Sequence, residues 1–156
     1  MFKVVKTILL CFVLSLFGSK LSAQESLLSI GVHMDWAMES PSYMKLYGIQ
    51  GKYDLTDRQS IQAQIGLGDY KRMYYGADYL YTLLPLKGLP SVFVAAGLGY
   101  EGIRSTDIYD IIISGQVGLQ FKIKRFSPYI GYKPKFYFEV EGIDATSIAL
   151  GLRFRL

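Results

Sequence analysis

The sequence predicts an all-β fold: an eight-stranded antiparallel up-and-down transmembrane β-barrel, preceded by a cleaved signal peptide. Three observations predict it. Residues 148–156 place Ile148, Leu150, Leu152, Phe154 and Leu156 on one face, with small or charged residues between them. That period of two belongs to a strand with one apolar and one polar face. Seven further segments repeat the alternation, and the polar face throughout is rich in glycine and glutamine. A lone strand cannot cross a bilayer, because its edge N–H and C=O groups go unpaired in lipid; a closed barrel pairs them all.

The N-terminus reads as a targeting segment. Met1 to Lys6 is short and basic, Thr7 to Gly18 is apolar, and Ser19-Lys20-Leu21-Ser22-Ala23 ends in small residues. The pattern predicts a signal peptide over 1–23, cut after Ala23, and a barrel over 24–156. The apolar run falls short of the roughly 20 residues a spanning helix needs. Cys11 lies inside that run, without the small residues that precede a lipidated cysteine. Without Lys3, Lys6 and Lys20, 14 basic residues face 13 acidic ones, so the +4 of the whole sequence falls to +1. The basic balance therefore belongs mostly to the targeting segment and argues for no nucleic-acid partner. With Cys11 gone, neither disulfides nor thiol chemistry remain.

Each strand follows from its own alternation. The first sets Leu28, Ile30, Val32, Met34 and Trp36 against Ser29, Gly31, His33 and Asp35. The second, about 43–55, sets Tyr47, Ile49, Tyr53 and Leu55 against Gly48, Gln50, Lys52 and Asp54. Thr56-Asp57-Arg58 turns the chain into the third, with Ile61, Ala63, Ile65 and Leu67 against Gln62, Gln64, Gly66 and Gly68. After a polar break at 69–72, the fourth sets Tyr75, Ala77, Tyr79, Tyr81 and Leu83 against Gly76, Asp78, Leu80 and Thr82. Pro85, Gly88 and Pro90 make a loop by turn chemistry. The fifth sets Val92, Val94, Ala96, Leu98 and Tyr100 against Ala95, Gly97, Gly99 and Glu101, and a break is expected at 102–107. The sixth sets Ile113, Val117, Leu119, Phe121 and Ile123 against Ser114, Gln116, Gly118, Gln120 and Lys122. A tight basic turn is expected at 124–127. The seventh sets Ile130, Tyr132, Phe136 and Phe138 against Gly131, Lys133, Lys135, Tyr137 and Glu139. Pro134 conflicts with a central strand; it marks a bulge or the point where the strand leaves the bilayer. Residues 141–144 turn into the eighth. Each segment is about the 9–11 residues of a tilted spanning strand.

Alternation alone does not choose which face is inside, since a soluble lipocalin-like barrel alternates with its apolar face inward. Volume makes the choice. An eight-stranded interior is just wide enough to be filled by side chains. Gly31, Gly48, Gly66, Gly97, Gly99, Gly118, Gly131 and Gly151, with Gln50, Gln62, Gln64, Gln116 and Gln120, suit a narrow wet core. The opposite face would overfill it. Trp36, Tyr47, Tyr53, Tyr75, Tyr79, Tyr81, Tyr100, Tyr132, Phe136 and Phe154 lie on the apolar face, several towards strand ends, as in interfacial aromatic girdles.

In Gly97-Leu98-Gly99-Tyr100, Ser127-Pro128-Tyr129-Ile130-Gly131-Tyr132 and the terminal Gly151-x-x-Phe154-x-Leu156, residues 25–156 resemble the small outer-membrane β-barrels of the OmpA/OmpX type. More narrowly, they resemble the short outer membrane protein β-barrel domains of Bacteroidota-like Gram-negative bacteria. The resemblance implies outer-membrane localisation, outer-membrane lipid around the barrel, and periplasmic chaperones and the β-barrel assembly machinery as partners. Gly151, Phe154 and Leu156 resemble the C-terminal assembly signal, with Leu156 where an aromatic is commonest. The resemblance implies no reaction, and a monomer without cofactors is expected.

His33 is the sole histidine and shares the polar face with Asp35. As a catalytic base it needs a placed nucleophile, and Ser29 is poorly spaced. One histidine among scattered carboxylates gives no metal-ligand spacing. The inward charges are the most informative set. Lys52, Asp54, Lys122, Arg153 and Arg155 are expected near one barrel end. Asp35, Glu101, Lys133, Lys135 and Glu139 are expected towards the other, with Asp78 mid-strand. Charges in so narrow a core must pair or be hydrated, which predicts a network joining cations of strands 6–8 to acids of strands 1, 2, 4 and 5. The leading expectation is a non-enzymatic outer-membrane protein, structural or a weak narrow pore with a charged, plugged lumen. The alternatives are a lipid-modifying barrel enzyme using His33 and a soluble periplasmic ligand-binding barrel.

Overall fold

Ten short strands make eight staves in the computed structural model, which describes residues 27–38, 45–84, 90–103, 108–138 and 143–156. They are β1 (Leu28–Ala37), β2 (Lys45–Asp54), β3 (Gln59–Gly68), β4 (Arg72–Leu84), β5 (Ser91–Ile103), β6 (Ile108–Gln120), β7 (Phe126–Tyr132), β8 (Lys135–Tyr137), β9 (Ile143–Asp144) and β10 (Ser147–Arg155). β7 with β8 forms the seventh stave and β9 with β10 the eighth. Each stave pairs antiparallel with its sequence neighbours, and β10 pairs with β1 from Ser29↔Arg155 to Ala37↔Ser147. The sheet is therefore a closed eight-stranded antiparallel barrel; among the described strands only β9, at one rim, pairs on a single side. The expected signal peptide, most of the break expected at 102–107 and half of the turn expected at 141–144 lie outside the described residues.

The faces separate by the alternation of the sequence. Along β3, Ser60, Gln62, Gln64 and Gly66 are buried, while Ile61, Ala63, Ile65 and Leu67 are exposed. Ile65, Leu98 and Leu152 are 49%, 62% and 41% exposed, whereas Lys133 and Arg153 are 0% and 1%. The apolar face is the outer wall, and the charged face is the core. Aromatics such as Tyr53, Tyr79 and Phe154 lie towards one end of that wall, and Tyr75, Tyr100 and Tyr109 towards the other. Tyr100 and Tyr109 stack with ring centroids 5.6 Å apart.

Inward glycines are sockets for larger side chains. A Cβ at Gly76 or Gly99 would strike the Tyr74 ring, at Gly151 the Tyr129 ring, and at Gly118 the Phe93 ring. The interior is thus not only small and wet. Tyr74, Phe93 and Tyr129, with Leu46, Leu80 and Ile112, are buried in it as two apolar clusters. Large residues opposite glycines fill a narrow bore at solid density.

The boundaries differ from the sequence reading at three places. β5 and β6 stay paired through Gly102↔Tyr109 and Ile103↔Ile108, so the break expected at Gly102 comes later. Tyr109, Ile111 and Ile113 continue the outward row and keep the ladder going. The hairpin after β6 is tighter than expected. It is closed by reciprocal bonds between Ile123 and Phe126, so β6 ends at Gln120 and β7 already begins at Phe126.

The third concerns Pro134. It interrupts the seventh stave, yet Val117↔Tyr132 and Ser114↔Lys135 keep one register against β6. The seventh stave has no bulge. The extra residue is on the eighth stave, where Tyr132↔Ile148 gives way to Lys135↔Asp144. Four steps there match three on the seventh, around Ala145 and Thr146. The Pro134 carbonyl still accepts the Gly115 N–H at 3.2 Å. Gly115 and Pro134 are thus direct partners, and the missing proline N–H lies on the β6 side, where this pair keeps one hydrogen bond instead of two.

The socket packing predicts opposite outcomes at two neighbouring glycines. At Gly48 a Cβ would collide with the Ile65 carbonyl oxygen and the His33 ring; at Gly51 it meets nothing. Gly48→Val is expected to cost about 1–3 kcal/mol or more through overpacking, and Gly51→Val less than about 0.5 kcal/mol. Urea unfolding in detergent micelles, followed by tryptophan fluorescence, measures both.

Candidate functional site: the charged lumen

The core is built in tiers, each from side chains that alternation points inward. At the end bearing the 55–58 turn, Lys52 pairs with Asp54. The Ser60 hydroxyl donates to Asp54 at 2.8 Å, and Arg155 Nη2 reaches the same carboxylate at 3.1 Å.

The next tier is held by Arg153. Its guanidinium lies over the Tyr129 ring, 4.0 Å from the centroid. Nη1 donates to Gln120 Oε1 at 2.7 Å, and Nη2 donates to Gln62 Oε1. Tyr129 in turn donates its O–H to Gln50 Oε1 at 3.0 Å, and Gln50 Nε2 donates to the Val32 carbonyl at 2.8 Å. Arg153 pairs with no carboxylate among the described residues. Two amide oxygens and a π-face carry its charge, arranged around the planar fork that arginine presents.

In mid-barrel, Lys133 Nζ donates to Gln64 Oε1 at 2.8 Å and stands 3.4 Å from Asp78 and 3.8 Å from Asp35. Ser114 donates to the other oxygen of Asp78 at 3.3 Å. Lys135 takes Asp35 at 3.1 Å. Both ammonium groups also approach the Tyr74 ring, at 5.5 and 5.0 Å. Two cations and two carboxylates thus balance in the middle of the core. Pro134 spaces the two lysines, so both face inward two residues apart.

The last tier joins Arg72 Nη1 to Glu101 at 2.8 Å, with the Tyr137 O–H on the other Glu101 oxygen at 3.4 Å. Beneath it lies a cavity with room of about 20 Å³, lined by Asp35, Arg72, Glu101, Lys135 and Tyr137. That holds about one water.

Of the five expected cations on strands 6–8, three meet expected acids. Lys133 and Lys135 of the seventh stave reach acids of β1 and β4, and Arg155 reaches Asp54 of β2. Lys122 is corrected: it is exposed past the end of β6, because the tight hairpin stops the inward row at Gln120. Arg153 takes glutamines rather than an acid. Glu101 takes Arg72, a residue read as part of a break because its inward alternation precedes the apolar run of β4. Glu139 lies outside the described residues. Tyr74, Tyr129 and Phe93 escaped the sequence reading. The glycines two residues from Tyr74 and across from Tyr129 and Phe93 were the available signal for them.

His33 is 3% exposed and faces the lumen, beside the socket at Gly48; neither ring nitrogen hydrogen-bonds to the protein. Among the described residues no group of three or more His, Cys, Asp or Glu side chains could hold a metal ion. Of the terminal triplet, Gly151 makes room for Tyr129. Phe154 packs on Phe126 with ring centroids 5.3 Å apart, and Leu156 is exposed.

No family model matches the chain, and no curated protein is significantly similar to it. Solved structures are. The solution NMR structure of de novo designed TMB2.3 matches with a TM-score of 0.62 and 12% identity, over 87% of this chain and 98% of the design. A second structure, described as "De novo design of transmembrane beta-barrels", matches with a TM-score of 0.56 and 9% identity, over 87% of this chain and all of that one. At such identities the likeness concerns the fold, which is the architecture of a small transmembrane barrel.

The mid-barrel tier predicts a coupled loss. Lys133→Met leaves Asp78 buried with no cation and is expected to cost about 3–5 kcal/mol. Adding Asp78→Asn removes the stranded charge and is expected to recover at least about half of that. Equilibrium unfolding of both variants in micelles measures the pair.

Proposed function

We propose that the chain is an integral outer-membrane β-barrel protein, non-enzymatic and structural, whose lumen is a charged plug rather than a conduit. The observation that carries this is the inverted distribution of side chains. A closed barrel with Ile, Leu, Val and aromatics around its whole outer wall, and lysine, arginine and carboxylates at its centre, is stable in lipid. In water it would expose far more than the few hundred Å² of contiguous apolar surface that soluble monomers carry. This counts against the soluble ligand-binding alternative, which needs the apolar face inside.

The plug reading is supported by the filling of the bore. Arg153 is stacked and twice hydrogen-bonded, Lys133 is enclosed by three partners, and the mouth cavity holds about one water. Eight staves leave no channel once such side chains are packed. The burial of His33, whose ring nitrogens hydrogen-bond to nothing among the described residues, counts against a catalytic base in a lipid-modifying enzyme. Outer-membrane localisation is supported by the targeting pattern at 1–23 together with the barrel. It brings the outer-membrane lipid, periplasmic chaperones and the β-barrel assembly machinery as partners, with Gly151, Phe154 and Leu156 as the segment that machinery would read.

Purified protein in planar bilayers tests the plug. The expected record shows no large, stable openings; conductance steps of long lifetime in the unmodified protein would replace the plug with a pore. Before that measurement, the membrane fraction should show a band whose migration changes on boiling, as a folded barrel resists the detergent of the gel.

A further inference from the structure

We propose that the barrel binds an anionic phospholipid at one end, with an acyl chain in a notch of the outer wall and the phosphate against a basic hairpin beside it. The proposal rests on the membrane reading above. The notch is a concavity of about 700 Å³ running across β3, β2, β1, β10 and β7. Ile30, Ile49, Phe126 and Phe154 wall it, and Gly51 and Ala63 form its floor. The floor is low because of register: Ile30 pairs with Gly51, and Gly51 with Ala63. A hydrogen and a methyl stand where most outward positions carry branched or aromatic chains, and a Cβ on Gly51 meets nothing. Most described glycines face inward as sockets; Gly51, like Gly115, faces outward, and beside Ala63 it opens a hollow. An apolar hollow in a lipid-facing wall forfeits dispersion contacts unless something apolar fills it, and an acyl chain is the apolar body at hand.

The hairpin supplies the headgroup chemistry. Residues 121–126 read Phe-Lys-Ile-Lys-Arg-Phe, and all six are exposed. Among the described residues Lys122, Lys124 and Arg125 make no ion pair. They stand on a rigid support, because Lys124 turns the chain with a φ of 54° and Ile123 and Phe126 exchange backbone hydrogen bonds. Arg125 directly precedes Phe126, a wall of the notch. Its carbonyl accepts the N–H of Arg155 at 2.8 Å, and Arg155 follows Phe154, the other wall at that end. The cations therefore stand beside the Phe126–Phe154 ring pair that bounds the notch. An apolar slot with several cations and apolar anchors at its mouth matches a lipid whose headgroup carries one negative charge and no positive one. Basic residues near such headgroups each add to the attraction, so three favour an anionic over a zwitterionic lipid by roughly a hundredfold at low salt, less as salt screens them.

The test is lipid retention by the full chain, reconstituted in discs of equal phosphatidylglycerol and phosphatidylcholine, extracted mildly and read by native mass spectrometry. The unmodified protein is expected to keep phosphatidylglycerol at least about tenfold over phosphatidylcholine. Replacing the cations together (Lys122→Gln, Lys124→Gln, Arg125→Gln) is expected to abolish the headgroup preference. Gly51→Leu, which fills the floor, is expected to lower retention of both lipids; Ala63→Leu fills the same floor should the first variant fold poorly. Equal retention of the two lipids by the unmodified protein, an unchanged preference without the cations, or unchanged retention in the filled-floor variant overturns the proposal. Failure of the chain to enter discs at all would instead overturn the membrane reading, so the two failures are distinguishable.

Discussion

Lys133 carries a charge where no bulk water reaches, and the rest of the molecule is arranged so that it can. Its ammonium group is held among Gln64, Asp78 and Asp35, which come from three different strands. An isolated ion in such a place would cost several kcal/mol. Meeting that demand requires β3, β4 and β1 to bring their inward residues to one height, which only the closed register of the barrel does. Asp35 is shared with Lys135 and Asp78 with Ser114, so the middle of the core is a single balanced set rather than separate pairs. The same arrangement makes a one-residue slip of any strand expensive, because it would turn charges out to the apolar wall and apolar residues in.

Space is the second constraint, and glycine meets it. The bore of eight staves admits few large side chains, yet Tyr74, Tyr129 and Phe93 are all buried in it. Each enters because a glycine lies opposite or nearby on the inner face. Two of these rings also do electrostatic work. Tyr74 underlies the lysine pair, and Tyr129 underlies Arg153. Packing and charge are therefore one network, in which the aromatic faces occupy positions that ordered water would hold in a wider barrel.

Most of the architecture was legible in the sequence because a period of two is an unambiguous signal when repeated eight times. The inward assignment of Asp35, Lys52, Asp54, Asp78, Glu101, Lys133, Lys135, Arg153 and Arg155 followed from that period and the volume argument. What was not legible has physical reasons. Lys122 continues the alternation of the sixth segment, and only the hairpin geometry at 123–126 shows that the row has already left the core. Arg72 belongs to the segment read as a break and Tyr74 falls between it and the apolar run that starts at Tyr75, so the inward direction of both was hidden. Pro134 left a bulge and an exit from the bilayer equally open, because alternation does not show that its ladder side faces Gly115 of β6, where one bond of a pair is simply lost. Ion-pair partners depend on which strands meet at which height. Alternation ranks inward residues, but it does not match Arg153 to Gln62 and Gln120 rather than to an acid.

The account depends on which medium touches the outer wall. A single tryptophan placed at Leu98, in a Trp36→Phe background, can report that directly in vesicles whose acyl chains carry bromine at different depths. Strong quenching by lipids brominated near the bilayer centre is the predicted result, with little quenching from water-soluble acrylamide. A tryptophan at position 98 that is quenched by acrylamide and untouched by brominated lipid would contradict the account.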